Sequence, residues 1–429
     1  MAQRTIRSKR SIATLDGLKG FGLQPEQQPP PKRRRVEPPI DLSIAENWSI
    51  RPELVSLFQD AITEGLAPEH LSYSDSHFGD TKTLRALATF FNEYFDPRLA
   101  VQPSHIALTP GSSRSLAGLL SQICDPGEGV LVPAPFWNGF DFHFVINAQV
   151  QPVVARLDDF KNAFDADTLI ASLTQAYNDT PLSTRALVIT TPGNPLGQCY
   201  SADILQRCIE FCQERDLHLI CDEVYALSYF AEPTESRVPF QSILTLDPKS
   251  LGSDPSRIHM VWSLSKDFGC SGLRLGCVVS QANSDLILAL RLPTSTEVSA
   301  LTTLCATALL TSPRLPDLIS LNKKRLAESY KEITKVLEAE NLQYVPATAG
   351  LFVFARLNPE ATEKDEVPFL QRLRQKGLVI SSGQAYHIGP ECRGWYRLTF
   401  ALPPTELNKA LAILGRCLKS DRSSNARKT

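Results

Sequence analysis

From Ile40 onward the chain alternates short unbroken apolar runs with stretches in which apolar residues recur every three or four positions. The runs at 106–108, 129–132, 186–190, 218–221, 258–262 and 274–279 predict strands, since continuous apolar character over so few residues suits a strand covered on both faces. The periodic stretches at 84–94, 113–123, 201–214 and 285–290 predict helices between them. This β, α, β rhythm implies an α/β fold, with a large, mostly parallel sheet covered by helices and ligands gathered at the carboxyl ends of its strands. Beyond about Val298 the pattern changes to long helices, chiefly 315–340, then two short strands and a closing helix at 405–418. The expected organisation is a tail over 1–39, an N-terminal segment over 40–74 packing on the small domain, a large ligand-binding domain over 75–300, a smaller C-terminal α+β domain over 301–420, and a tail over 421–429. No internal repeat or sustained heptad run is visible.

Composition narrows the function. The 429 residues are 43% hydrophobic, enough for two cores, and the formal net charge of -2 provides no field for nucleic acid or an anionic membrane. A small-molecule ligand is expected. The ten cysteines are scattered without paired CxxC spacing, so they read as buried thiols of a reducing compartment rather than zinc ligands or a disulfide framework. No secretory signal or membrane span is visible, and a cytoplasmic protein is expected. Residues 1–39 are rich in Pro, Gln, Lys and Arg, and Lys32, Arg33, Arg34 and Arg35 read either as a nuclear address or as a solvated basic cluster.

The chemistry concentrates in a few segments. In Ser263-Leu264-Ser265-Lys266-Asp267-Phe268-Gly269, a lysine follows a predicted buried strand, and Gly272-Leu273-Arg274-Leu275-Gly276 comes just after. Such a lysine suits a carbonyl cofactor that bears a phosphate: its amine can form a Schiff base, while Ser263, Ser265 and Arg274 contact the phosphate. Taken alone, a lysine in a Ser and Gly loop is more often an ordinary surface residue, and the other segments shift that weighting. Asp222 ends another predicted strand in Cys221-Asp222-Glu223-Val224-Tyr225, where it can keep a pyridine nitrogen protonated while Tyr225 donates to a phenolate oxygen. The alternative is a helix cap with a packed aromatic. Asn194, in the rigid turn Thr191-Pro192-Gly193-Asn194-Pro195-Leu196-Gly197, can aim its amide at the same oxygen, or belong to a plain turn. Gly111, Ser112 and Ser113 open a helix whose amides can form a phosphate cup. In Pro133-Ala134-Pro135-Phe136-Trp137, Trp137 is favoured over Phe136 to stack on a flat ring, with core packing as the alternative. Arg397, in the apolar Gly394-Trp395-Tyr396-Arg397-Leu398-Thr399-Phe400, needs an anion, either a substrate carboxylate or an internal partner.

Taken in order, NPLG, DEVY, SLSKD, GLRLG and WYR resemble the fold-type I pyridoxal 5'-phosphate (PLP) enzymes of the class I and II aminotransferase family, in particular the 1-aminocyclopropane-1-carboxylate synthase branch. The resemblance runs from Ile40 to Leu418 and includes Ala45-Glu46-Asn47 and Ala349-Gly350-Leu351-Phe352. It implies a homodimer with sites at the subunit interface. Asn194, Asp222, Tyr225, Lys266 and Arg274 then hold the cofactor, and Arg397 takes the carboxylate of an amino-acid substrate. It also implies that Tyr73 reaches the neighbouring subunit's phosphate. Glu46 reads as a contact to the far end of the substrate or as a helix-capping residue. Where the synthases carry YHG, this chain has Ser76-His77-Phe78-Gly79, without the tyrosine in register. The expected activity is therefore transamination of a specialised amino acid. A carbon-sulfur lyase is the alternative, and a non-catalytic regulatory protein would require a damaged cofactor set that this chain does not have.

Overall fold

The computed structural model describes residues 38–425 except 75, 232–237, 295, 363–364 and 390–391, together with Ser11, Thr14 and Leu15. The basic cluster Lys32 to Arg35 lies outside the described residues. All six predicted strands are present, with ends shifted by two residues or fewer. They join the edge strand Gln151–Ala155 in one sheet, in the order Ile106–Thr109, Gly276–Val279, Ile258–Ser263, His218–Asp222, Thr184–Thr190, Gly129–Pro133, Gln151–Ala155. The last five run parallel, whereas Gly276–Val279 is antiparallel to both of its neighbours.

That one reversed strand matters for the site. Because it enters the sheet from the edge where the others leave, Gly276 pairs with both Thr109 and Ser263, the last residues of their strands. The segment around Arg274 is thus brought to the carboxyl edge. Arg274 itself precedes the strand instead of beginning it, with a left-handed backbone at φ 56°. Thr190 pairs with Asp222 on the same edge. Five of the chemically suggestive segments therefore share one rim for reasons of register alone.

Helices cover both faces. Several begin on side-chain caps: Asp80 accepts from Thr83 N at 2.7 Å and Ser201 from Ile204 N at 3.3 Å. The helix predicted at 285–290 extends over Ser284–Thr294, and the closing one over Pro404–Asn425. Helices Arg51–Gly65, Ala166–Asp179 and Ala300–Leu310 add to the predicted set. Helix Leu315–Ala339 spans two cores: Leu315, Leu318 and Ile319 pack with the large sheet, whereas Leu326, Ile333 and Leu337 pack with the second core.

The second core is organised by a smaller antiparallel sheet, ordered Ser381–Ser382, Trp395–Thr399, Phe352–Arg356, Tyr344–Val345. Its strands are more numerous than the two expected. The N-terminal segment docks on this core through a separate two-stranded sheet, in which Ile40–Asp41 pairs in parallel with Leu378–Val379. The two domains are stitched at Gly197, whose carbonyl accepts from Thr348 N at 2.7 Å and Ala349 N at 3.0 Å. Gly197 has φ 67°, and a Cβ there would lie 2.7 Å from Ala347 Cβ, so only glycine fits this seam.

At the opposite edge of the large sheet, His218 Nδ1 lies 2.9 Å from His259 Nε2, and His259 Nδ1 lies 3.0 Å from Ser280 Oγ. Burial, helped by Arg257, lowers His218 from 6.5 to about 4; burial, helped by His218, lowers His259 to about 3. Above pH 6.5 both rings are neutral in folded and unfolded chains alike, so they add no pH dependence. Below it, the unfolded chain binds protons that the native state resists, and stability falls as pH drops toward about 4. Urea denaturation between these limits should show a shallower acid loss for the double variant His218→Gln, His259→Gln than for the wild type. Identical slopes would remove the pair from the account.

Candidate active site

Lys266 lies on the four-residue helix Leu264–Asp267, immediately after strand Ile258–Ser263. Its Nζ donates to the carbonyl of Ala45 at 2.7 Å, so the N-terminal segment closes over the amine. Burial first, and the Arg397 cation second, lower the Lys266 pKa from 10.5 to about 8, against the attraction of Glu46 and Asp222. The amine is thus poised to exchange a proton near neutral pH.

Asp222 ends its strand buried, and burial raises its carboxyl to about 7, opposed by a hydrogen bond from the Val224 N–H and by the Lys266 charge. Its Oδ1 has no hydrogen-bond partner among the described residues. A buried oxygen in this condition calls for a donor from a bound group. Tyr225 is buried three residues on, and burial pushes its phenol up. Asn194 Nδ2 is 3.5 Å from Tyr225 Oη, so the amide and the phenol converge.

Arg397 sits in the middle of strand Trp395–Thr399, 3% exposed. Its Nη1 donates to Asn194 Oδ1 at 3.0 Å and its Nη2 donates to the Ser43 carbonyl, while Nε is unpartnered. The rings of Phe352 and Tyr386 lie 5.1 and 5.2 Å from the guanidinium carbon. Among the described residues no carboxylate pairs with it, so the internal salt bridge left open by sequence is not what holds this cation.

A cup forms where Gly111, with φ 94°, caps helix Ser112–Ile123. As first residues of that helix, Ser112 and Ser113 have N–H groups with no carbonyl one turn earlier in the helix. Arg274 crosses this turn, donating from Nη2 to Pro110 O at 2.9 Å and from Nη1 to Ser271 O at 2.8 Å. A Cβ at Gly111 would lie 2.4 Å from Arg274 Nη2. Ser263 is buried and caps the lysine helix, its Oγ 3.4 Å from Ser265 N; Ser265 is buried beside it. Phe136 is buried and stacks with His387 at 4.3 Å and Phe140 at 6.0 Å, whereas Trp137 is half-buried and so the more accessible of the two aromatics.

Glu46 lies against the same cluster, accepting from Ser271 Oγ at 2.5 Å and from Arg51 Nη2. Burial raises its carboxyl, but these two bonds and the Arg51 and Lys266 charges outweigh it and hold the pKa below the ordinary value. Glu46 therefore caps no helix here. Tyr73 does not join the cluster: it is 87% exposed, on the wall of an open groove with Phe78, Lys82 and Ser299.

Other residues hold the site without having been singled out by sequence. Asn47 donates to Lys266 O at 3.1 Å and to Asn322 Oδ1 at 2.9 Å. Asp267 accepts from Trp262 Nε1 at 3.0 Å, Ser228 Oγ at 2.7 Å and Leu227 N at 3.1 Å, tying the lysine helix to the segment that follows Tyr225. The adjacency of Asp267 to the lysine was the available signal, since a carboxylate in so apolar a stretch requires donors.

A proton-exchanging lysine, a buried carboxyl oxygen awaiting a donor, and a glycine-opened helix N-terminus crossed by an arginine make complementary demands on a ligand. PLP meets them with its carbonyl, its pyridine nitrogen and its phosphate, so the residues present fit the cofactor of the fold-type I class. The chain belongs to the aminotransferase class I and II family, whose sequence profile matches residues 49–414, and is a PLP-dependent enzyme. It is 45% identical over 419 residues to a "Probable aminotransferase aclI" of Aspergillus oryzae, covering 95% of this chain and 98% of that protein. It is 48% identical over 388 residues to the "Trimodular acetylaranotin synthesis protein ataIMG" of Aspergillus terreus, covering 90% of this chain and 39% of that protein. A mouse protein named as a probable inactive 1-aminocyclopropane-1-carboxylate synthase-like protein 2 is 32% identical, over 87% of this chain and 64% of its own length. Among solved structures, an aromatic aminotransferase from Pyrococcus horikoshii superposes with a TM-score of 0.74 at 22% identity, covering 96% of this chain and all of the other, and shares the fold.

Replacing Asp267 with alanine would leave the Trp262 and Leu227 N–H groups buried without acceptors. Asp267→Ala should therefore lose about 3 kcal/mol in a urea titration. A loss below about 1 kcal/mol would mean that these bonds are readily replaced.

Proposed function

We propose that this chain transaminates an L-α-amino acid of specialised metabolism, with Arg397 binding the substrate carboxylate. The observation that carries this reading is the buried guanidinium of Arg397, with an unpartnered Nε and no carboxylate beside it, close enough to Lys266 to lower its pKa. A substrate carboxylate would supply the missing anion through parallel charge-assisted bonds.

Lys266 would hold PLP covalently. Asp222 would bind its pyridine nitrogen, and Tyr225 and Asn194 its phenolate oxygen. Trp137 would lie against the ring. The phosphate would fall to Ser263, Ser265, Arg274 and the Gly111, Ser112 and Ser113 amides. When bound, the cofactor supplies an electron sink for the pair left on the substrate Cα. Arg397 fixes the substrate so that one Cα bond is aligned for cleavage. Lys266 Nζ, displaced by the substrate amine and with its pKa lowered to about 8, would accept the Cα proton and deliver it to the cofactor's imine carbon, the transfer that separates transamination from elimination. Glu46, held by Ser271 and Arg51 and kept ionised, would face the far end of the substrate.

The preference for transamination over elimination rests on the names of the more similar relatives and on Ser76-His77-Phe78-Gly79, which lacks the synthase tyrosine. The specialised-metabolism assignment draws on the acetylaranotin relative. A homodimer would give Leu71 and Tyr73, each 87% exposed, a surface to cover, and would bring Tyr73 to a partner's phosphate site.

The test is spectroscopic. The purified holoenzyme is titrated with a panel of L-α-amino acids that includes thioethers and S-adenosylmethionine. Conversion of bound PLP to pyridoxamine phosphate, reversed by a 2-oxo acid, is the expected result. Release of a thiol, or of a 2-oxo acid with ammonia, without that conversion would replace transamination with elimination. In Lys266→Ala the lysine-bound absorbance should vanish and turnover should fall on the order of a thousandfold or more.

A further inference from the structure

The segment Gly383–Tyr386 and the residue after it connect the small sheet to the cofactor-facing loop of the large domain. On one side, Tyr386 packs its ring against the Arg397 guanidinium, and Tyr386 Oη donates to Ser381 Oγ at 2.9 Å. Ser381 is in turn the backbone partner of Arg397 across the sheet. On the other side, the Tyr386 carbonyl accepts from Phe136 N at 3.3 Å. The next residue, His387, lays its imidazole on Phe136, with centroids 4.3 Å apart and planes within 15°. Its Nε2 is 2.8 Å from Asp141 Oδ2, on the helical turn Gly139–Phe142.

The ring contacts continue inward. Phe136 stacks on Phe140 at 6.0 Å, and Phe140 on Phe144 at 5.3 Å, so four rings form a column from the small domain into the large core. Trp137 sets its edge to Phe140 at 5.6 Å. The column therefore fixes the loop that carries Trp137 relative to the strand that carries Arg397. His387 adopts a left-handed backbone with φ 63°, an uncommon conformation for a residue with a Cβ. The stack and the Asp141 bond together hold it there, which is the pattern expected where a local conformation is retained for what the side chain reaches.

We propose that His387, stacked on Phe136 and hydrogen-bonded to Asp141, is a positioning residue that sets Arg397 at the correct separation from the cofactor ring and so determines affinity for the substrate α-carboxylate. It touches neither substrate nor cofactor. The inference rests on Arg397 as the carboxylate site. Two groups about 1 Å out of place can cost a large factor in a fitted site, so loosening this brace should be felt by the carboxylate and not by the amine.

The experiment compares glycine, which presents an amine and a carboxylate, with ethylamine, which lacks the carboxylate. Each is titrated into the holoenzyme and followed by the cofactor spectrum. The proteins are the wild type, His387→Gly, Asp141→Ala and Arg397→Lys, with cofactor content and melting temperature measured on each. Glycine suits φ 63°, so His387→Gly removes the ring while relieving the backbone. Both His387→Gly and Asp141→Ala should weaken glycine roughly tenfold, leave ethylamine unchanged and retain full cofactor. Equal weakening of both probes together with a lower melting temperature would overturn the proposal in favour of a general structural role. Unchanged glycine affinity in His387→Gly, with the preference for glycine lost in Arg397→Lys, would overturn it while leaving the carboxylate site standing. Retention of that preference in Arg397→Lys would remove the carboxylate site itself.

Discussion

Lys266 and Arg397 are two cations buried at one rim, and the repulsion between them, added to burial, brings the lysine amine to about 8. No carboxylate among the described residues neutralises Arg397, and Glu46 and Asp222 offset the effect on Lys266 only in part. An uncompensated buried charge costs stability unless something completes it. In the proposed function the missing partner would be the anion that a substrate carries, and the arrangement would make substrate binding and proton transfer depend on the same charge. Asp222 shows the same logic with the opposite sign: its Oδ1 is unpartnered among the described residues, and in the proposed site a donor from the cofactor would complete it.

The fold supplies this rim by register. The one antiparallel strand returns Arg274 to the edge where the parallel strands end, and the Thr109, Ser263 and Gly276 pairings place the Gly111 turn beside the lysine helix. The second domain delivers Arg397 from a strand of its own, so the separation between amine and guanidinium depends on the interdomain seam. Gly197, the Thr348 and Ala349 amides, and the His387–Phe136 contact define that seam. Asn47 and Asp267 then lock the lysine helix from either side.

Much of this was legible in the sequence because the decisive residues lie at the ends of short, fully buried strands, where continuous apolar runs mark position well. Lys266 and Asp222 were visible for that reason, Asn194 by the Pro and Gly turn that holds it, Arg397 as a lone cation within an apolar strand, and all four because their motifs come in a family order. The edge strand Gln151–Ala155 was not, since it buries only some of its residues and contains Pro152. Helix Ala300–Leu310 escaped because it is apolar nearly all round, which leaves no periodicity to detect. The supporting shell escaped for a different reason. Asn47 lies 219 residues from Lys266, and His387 meets Asp141 across 246, so their roles exist only once the chain is folded. Nothing local distinguishes such residues from ordinary polar side chains.

The most direct measurement of the central electrostatic claim is the pKa of the Lys266 amine in cofactor-free protein, read by NMR of the isotopically labelled lysine, in the wild type and in Arg397→Gln. A value near 8 in the wild type that rises in the variant, by loss of the neighbouring cation while burial persists, is what the account predicts. A wild-type value near 10.5, or one that does not move when Arg397 is neutralised, would contradict the coupling of the two cations on which the proposed site rests.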